Sequence, residues 1–114
     1  MSAPAIDRKR LLEAALGSRT VTTVDVREIT LGPAQRAGRH LHRCAVVGYI
    51  AKGTAAYQVE GEPLQMLAAG SAFYEPADTV IADFGNASET EPMTFIAFYL
   101  LNGEQELITM LENR

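Results

Sequence analysis

A single all-β domain, closed as a barrel or sandwich with a short helix at each end, is what this sequence predicts. Three observations carry that expectation. Short alternating apolar and polar stretches recur over residues 20–101, turns bearing glycine or proline separate them at roughly 8–12-residue spacing, and helical periodicity is confined to the two ends. At 114 residues, 47% of them apolar, the chain has room for one core and enough hydrocarbon to offset the entropy of ordering it. The expected organisation is a helical segment over 1–19, a barrel over 20–101 and a helix over 102–114, all in one domain.

Taken in order, Leu11, Leu12, Ala15 and Leu16 fall on one helical face, with Asp7 as N-cap and Gly17 placed to end the helix. Val24 and Val26 share one strand parity while Ile29 and Leu31 keep the other, which predicts a strand interrupted by a bulge and closed by Gly32-Pro33. Ala45 to Lys52 and Thr54 to Glu60 flank Gly53 as two strands, and Ala55, Tyr57 and Val59 alternate with polar partners. Glu60-Gly61-Glu62-Pro63 is turn chemistry, Leu64 and Met66 resume the alternation, and Gly70, Pro76 and Asp78 punctuate the next segments. Met93 to Leu101 is apolar on both parities, as suits a strand buried on both faces or at a subunit interface. A capping-box pattern from Asn102 to Gln105 starts the last helix, which is expected to bury Leu107, Ile108 and Leu111.

A net charge of −4 repels phosphate backbones and anionic lipid, so neither nucleic acid nor a membrane is an expected partner. The longest apolar run, Phe95 to Leu101, falls far short of the ~20 residues needed to span a bilayer. Asp7, Arg8, Lys9 and Arg10 stand where a secretory signal would place its apolar stretch, and a cytoplasmic setting is expected. One cysteine, Cys44, allows no internal disulfide and agrees with a reducing compartment. The sequon Asn86-Ala87-Ser88 is then read as turn residues.

Two local patterns stand out. The first runs Gly38-Arg39-His40-Leu41-His42, then Arg43, Cys44, Ala45 and Val46, and closes at Gly53; the second runs from Gly70 through Glu75 to Pro76. From about Gly32 to Leu101, these patterns and the order of strands resemble a single-domain cupin. The resemblance implies a jelly-roll barrel, the double-stranded β-helix, commonly dimeric and with a metal at its inner wall. It also implies a carboxylate where Val46 stands, a glycine at Asp78, a histidine at Ile81 and an asparagine at Gly85, with Asn86 one residue out of register. Cupin activities range from dioxygenases, isomerases and decarboxylases to sugar-binding and storage proteins, so the fold assigns no function.

Residues i and i+2 of a strand point to one face, so His40 and His42 can aim both imidazoles at one point inside a barrel. Two neutral imidazoles suit a single divalent transition metal such as zinc, iron, nickel or manganese. A stable site normally has three or four protein donors, and Val46 and Ile81 offer only hydrocarbon. Cys44, at the same parity as the histidines, and Asp83, two residues beyond Ile81, are the candidate substitutes; the competing readings are a buried free thiol and a solvated carboxylate. Val46, Ile50, Tyr57 and Ile81 are the expected ligand-pocket residues, and Arg36, Arg39 and Arg43 either attract an anionic ligand or form a solvated rim. No serine-hydrolase elbow, phosphate loop or zinc-protease helix motif is present.

The leading expectation is a homodimer whose barrel binds a small apolar or aromatic molecule, with His40 and His42 holding a metal weakly or bonding the ligand directly. One alternative is a metal-dependent oxygenase or isomerase with a non-standard ligand set. The other is a structural or interaction dimer with a filled barrel.

Overall fold

A computed structural model describes residues 4–112, and among them the chain forms nine strands and no helix. The strands are β1 (Thr23–Leu31), β2 (His40–Leu41), β3 (Ala45–Lys52), β4 (Thr54–Val59), β5 (Gln65–Ala68), β6 (Ala72–Glu75), β7 (Ile81–Asn86), β8 (Met93–Leu101) and β9 (Thr109–Met110). They assemble into two antiparallel sheets ordered β1-β8-β3-β6 and β5-β4-β7-β2-β9. No helix of the described residues is long and apolar enough to cross a membrane.

The core lies between the sheets. Phe73 on β6 and Phe95 on β8 meet Phe84 on β7 at ring-centroid distances of 5.1 and 4.8 Å, joining the two layers. Ile50, Ile81 and Met93 are fully buried, each contributing ~1.5–3 kcal/mol by the usual transfer scale. The pleat sorts a run that is apolar on both parities: on β8, Met93, Phe95, Ala97, Tyr99 and Leu101 point inward, while Phe98 between them is exposed. One face of β8 is therefore buried, and its other face, half-covered, joins Val26 and Val47 in a row across the outside of the four-stranded sheet.

Two glycines are required by space. Gly53 carries the chain from β3 in one sheet to β4 in the other at φ +82°, and a Cβ there would lie 3.0 Å from the Pro92 carbonyl oxygen. Gly48 stands opposite Phe73, whose ring packs over the bare Cα; an added Cβ would fall 2.1 Å from the ring tip.

Three expectations are corrected. The helix expected over 1–19 does not form in residues 4–19, and residues 1–3 lie outside the described part. A helix of about ten residues is marginal alone, and Leu12 and Leu16 instead line a groove with Val47, Tyr49 and Phe98 on the outer face of the four-stranded sheet. The helix expected over 102–114 is replaced by a strap of bends ending in β9, residues 113–114 lying outside the described part. Only half of the capping box forms, with the Asn102 N–H donating to Gln105 Oε1, and the strap satisfies its backbone by pairing with β2, whose edge would otherwise be open. Lastly, β1 pairs with β8 without interruption from Thr23 to Leu31, so it has no bulge. Its two apolar parities serve two faces, Val24 and Val26 outward, Ile29 and Leu31 toward the core.

A bulge does occur on β7, where Gln58 pairs with Asp83 but Val59 pairs with Ile81. The extra residue reverses the parity, so both Ile81 and Phe84 are buried although three residues apart.

Candidate metal centre and cavity

β2 places His40 opposite Ile81 of β7 on one side and Met110 of β9 on the other, and His42 follows immediately beyond the strand. Both histidines are almost wholly buried. The Nδ1 of His40 lies 2.6 Å from the Gly38 carbonyl oxygen, and the Nδ1 of His42 lies 2.5 Å from that of Leu107. A carbonyl can only accept, so each Nδ1 carries the proton and each neutral ring keeps its lone pair on Nε2. This is the tautomer a metal requires, held by backbone groups behind the rings.

The third member is Glu75, the last residue of β6 and 3% exposed. His40, His42 and Glu75 each offer a ligating atom within 4.8 Å of the other two, and they are the one such group among the described residues. Glu75 stands directly opposite Val46 on β3. The carboxylate that the first sequence pattern lacks at Val46 is thus supplied from the neighbouring strand.

His42 Nε2 and Glu75 Oε2 are 2.7 Å apart, the separation of a close ion pair, yet no N–H is aligned on Oε2, which is sealed from solvent without a hydrogen-bond donor. In the neutral tautomer no proton lies between them, and uptake of one by Nε2 makes the imidazolium that Glu75 stabilises. Burial works against the imidazolium of His42 and is the largest single influence on it. Contact with Glu75, its charge and the Leu107 carbonyl together outweigh that cost and raise the His42 pKa above its ordinary value. A buried carboxylate oxygen lacking a donor, facing two imidazole lone pairs, fits a divalent ion: two histidines and one carboxylate is the donor set of many non-haem iron sites, and zinc, nickel and manganese accept the same atoms.

A cavity of about 250 Å³ adjoins the cluster. Its polar lining side chains are His40, His42, Glu75 and Tyr99, and hydrocarbon from residues such as Ile29, Leu31, Phe73, Phe84, Phe95 and Ile108 forms the rest. The Tyr99 ring packs edge-on to His42 at 5.8 Å, and its phenol pKa is raised, first by burial and then by the charge of Glu75.

Of the pocket residues expected from sequence, Val46 lines this cavity. Ile50 and Ile81 are fully buried in the core without reaching its wall, and Tyr57, also buried, donates a hydrogen bond to the Tyr74 carbonyl oxygen. Cys44 is buried in the apolar core, outside the three-donor group; burial, the largest effect, raises its pKa. Asp83 is turned by the β7 bulge toward Arg36 and forms an ion pair with it, also outside the group. Arg39 forks onto Glu60, and Arg43 pairs with Asp78. Glu75 and Tyr99 were not singled out from sequence. The available signal was parity, since Glu75 shares a strand face with the core residue Phe73 and Tyr99 with Phe95.

A cupin domain model matches residues 27–99 of this chain. Among solved structures, a cupin-like protein from Thermotoga maritima is 23% identical with a TM-score of 0.65, covering 74% of this chain and 63% of that one. The DMSP lyase DddQ from Ruegeria pomeroyi is 15% identical with a TM-score of 0.66 and coverage of 76% and 42%. The polyketide cyclase RemF from Streptomyces resistomycificus is 13% identical with a TM-score of 0.66 and coverage of 80% and 62%. This chain thus spans less than two thirds of each, and at these identities the likeness carries the fold alone. No curated protein matches the chain in sequence.

Proposed function

The chain belongs to the cupin domain family, and from that premise we propose that it is a metal-dependent enzyme of the oxygenase or isomerase kind, acting on a small, largely apolar organic molecule. His40, His42 and Glu75 would hold the divalent ion. When bound, such an ion supplies Lewis acidity and coordination positions that three protein donors leave open. The protein's own residues do the rest: the Gly38 and Leu107 carbonyls fix both imidazoles, and the hydrocarbon wall keeps water from the ligand and favours an apolar or aromatic body over a sugar.

The observation that carries this reading is the buried Glu75 Oε2, which has no hydrogen-bond donor and faces two imidazoles whose protons are engaged elsewhere. A carboxylate so placed calls for a cation. The test is a calorimetric titration of chelated protein with zinc, nickel, manganese and anaerobic ferrous iron. Near-stoichiometric binding that E75Q and H42A abolish is expected; equal binding by wild type and E75Q ends the proposal.

One observation favours a second reading. The direct 2.7 Å approach of His42 to Glu75 is also that of an ion pair, as in a metal-free barrel where such a pair closes the wall of a ligand cavity. The same titration separates the two. The cavity itself counts against a filled barrel serving only as an interaction module.

Homodimerisation in the cytoplasm completes the proposal. Its support is the exposure of Val24, Val26, Tyr49 and Phe98 on one outer sheet face, and a lone buried cysteine. Light scattering is expected to give twice the chain mass, and a monomer rejects the dimer.

A further inference from the structure

Four polar side chains line the cavity, and three are already engaged. The Nδ1–H groups of His40 and His42 are engaged by the Gly38 and Leu107 carbonyls, and both rings cluster with the Glu75 carboxyl. Tyr99 is different. Its hydroxyl makes no hydrogen bond to any described residue and is not among the polar atoms sealed from solvent, and the residue lines the cavity. Strand register fixes its position: Val46 of β3 faces Glu75 on one side and Tyr99 on the other, so the three stand in one row, with the phenol on the same sheet face as the carboxylate.

We propose that Tyr99 is the hydrogen-bond donor that selects and orients the cavity's ligand, and that this ligand is a ring-sized apolar molecule bearing one oxygen acceptor, such as an aryl ketone. The inference rests on the reading of the cavity as a small-molecule site and narrows its substrate class. Size sets one bound: a cavity of about 150 Å³ takes benzene, so about 250 Å³ holds one ring with a short substituent. Charge sets the other, because no arginine or lysine lines the wall. A polyol or a dianion would enter with polar groups left unpaired.

Acetophenone and α-methylstyrene have nearly the same shape and differ in a carbonyl against a methylene, so their affinities isolate the hydrogen bond. Both are titrated into the full chain, as purified and after chelation, for wild type and Y99F. Wild type is expected to prefer the ketone by about 3–10-fold, and Y99F to bind the hydrocarbon as before while losing the preference. In wild type labelled at the tyrosine ζ-carbon, the ketone should shift the Tyr99 signal more than the hydrocarbon does, a readout that requires no substitution. A preference that survives in Y99F, the absence of any preference in wild type, or binding of neither probe overturns the proposal. Failure of the metal reading shows separately, as unchanged metal affinity in E75Q, and leaves the ketone preference intact.

Discussion

His42 Nε2 and Glu75 Oε2 stand 2.7 Å apart in the barrel interior, and behind the same imidazole the Leu107 carbonyl oxygen accepts a hydrogen bond from Nδ1–H at an N···O distance of 2.5 Å. His42 is thus gripped from both sides, by a carboxylate on β6 and by the C-terminal strap. A change at either should be felt at the other.

The strap provides the first test. The Leu111 N–H donates to the Arg39 carbonyl, anchoring the strap beside β2. Leu111→Pro removes that donor, loosens the Leu107 carbonyl and should weaken metal binding by about 10–100-fold, the usual cost of disturbing a ligand's supporting hydrogen bond. The cores of both sheets should stay folded, as checked by the near-ultraviolet spectrum.

Because Val46 faces Glu75 across β3 and β6, Val46→Glu places a second carboxylate beside the first. Metal affinity should rise at least tenfold, ~1.4 kcal/mol, while the metal-free protein is destabilised by two like charges sharing a buried site. Paired melting curves with and without metal read both effects.

Titration of His42 gives stability a defined slope. Its folded pKa is raised above the ordinary value near 6.5. Its contribution is therefore fully present below about 6.5 and is lost as pH rises through the folded value. The metal-free protein should lose melting temperature over that window. Metal affinity should climb over the same window, since the ion competes with the proton for Nε2.

Cys44 should be inert while the chain is folded. Its burial and raised pKa leave neither access nor thiolate, so a thiol reagent should label it only as fast as the protein opens.

Gly48→Ala should cost about 1–3 kcal/mol by overpacking. The new methyl meets the Phe73 ring, which Tyr57, Phe84 and Phe95 hold in place. Chemical denaturation measures the loss.

Most of the fold was legible from period-two alternation, as in Ala55, Tyr57 and Val59, because a pleated strand writes its two faces into neighbouring residues. The terminal segments misled for a physical reason. Leu12, Leu16 and Leu107 satisfy a helical period and an extended packing equally well, and the partner surfaces that decided between them, the outer sheet face and the edge of β2, are remote in sequence. Asp83 was ambiguous because a bulge resets parity without leaving a residue type that announces it. His40 and His42 were legible as a pair, whereas Glu75, more than thirty positions onward, was hidden by distance along the chain.

The row Glu75, Val46, Tyr99 shows what that distance conceals. A sheet is a two-dimensional lattice whose sideways step, about 4.8 Å, is shorter than the two-residue step of about 6.6 Å along a strand. A functional group can therefore move to the adjoining strand and still reach the same point, with less displacement than moving to the next same-facing residue of its own strand. Sites of this kind are better sought as coordinates on the unrolled barrel than as intervals in a string.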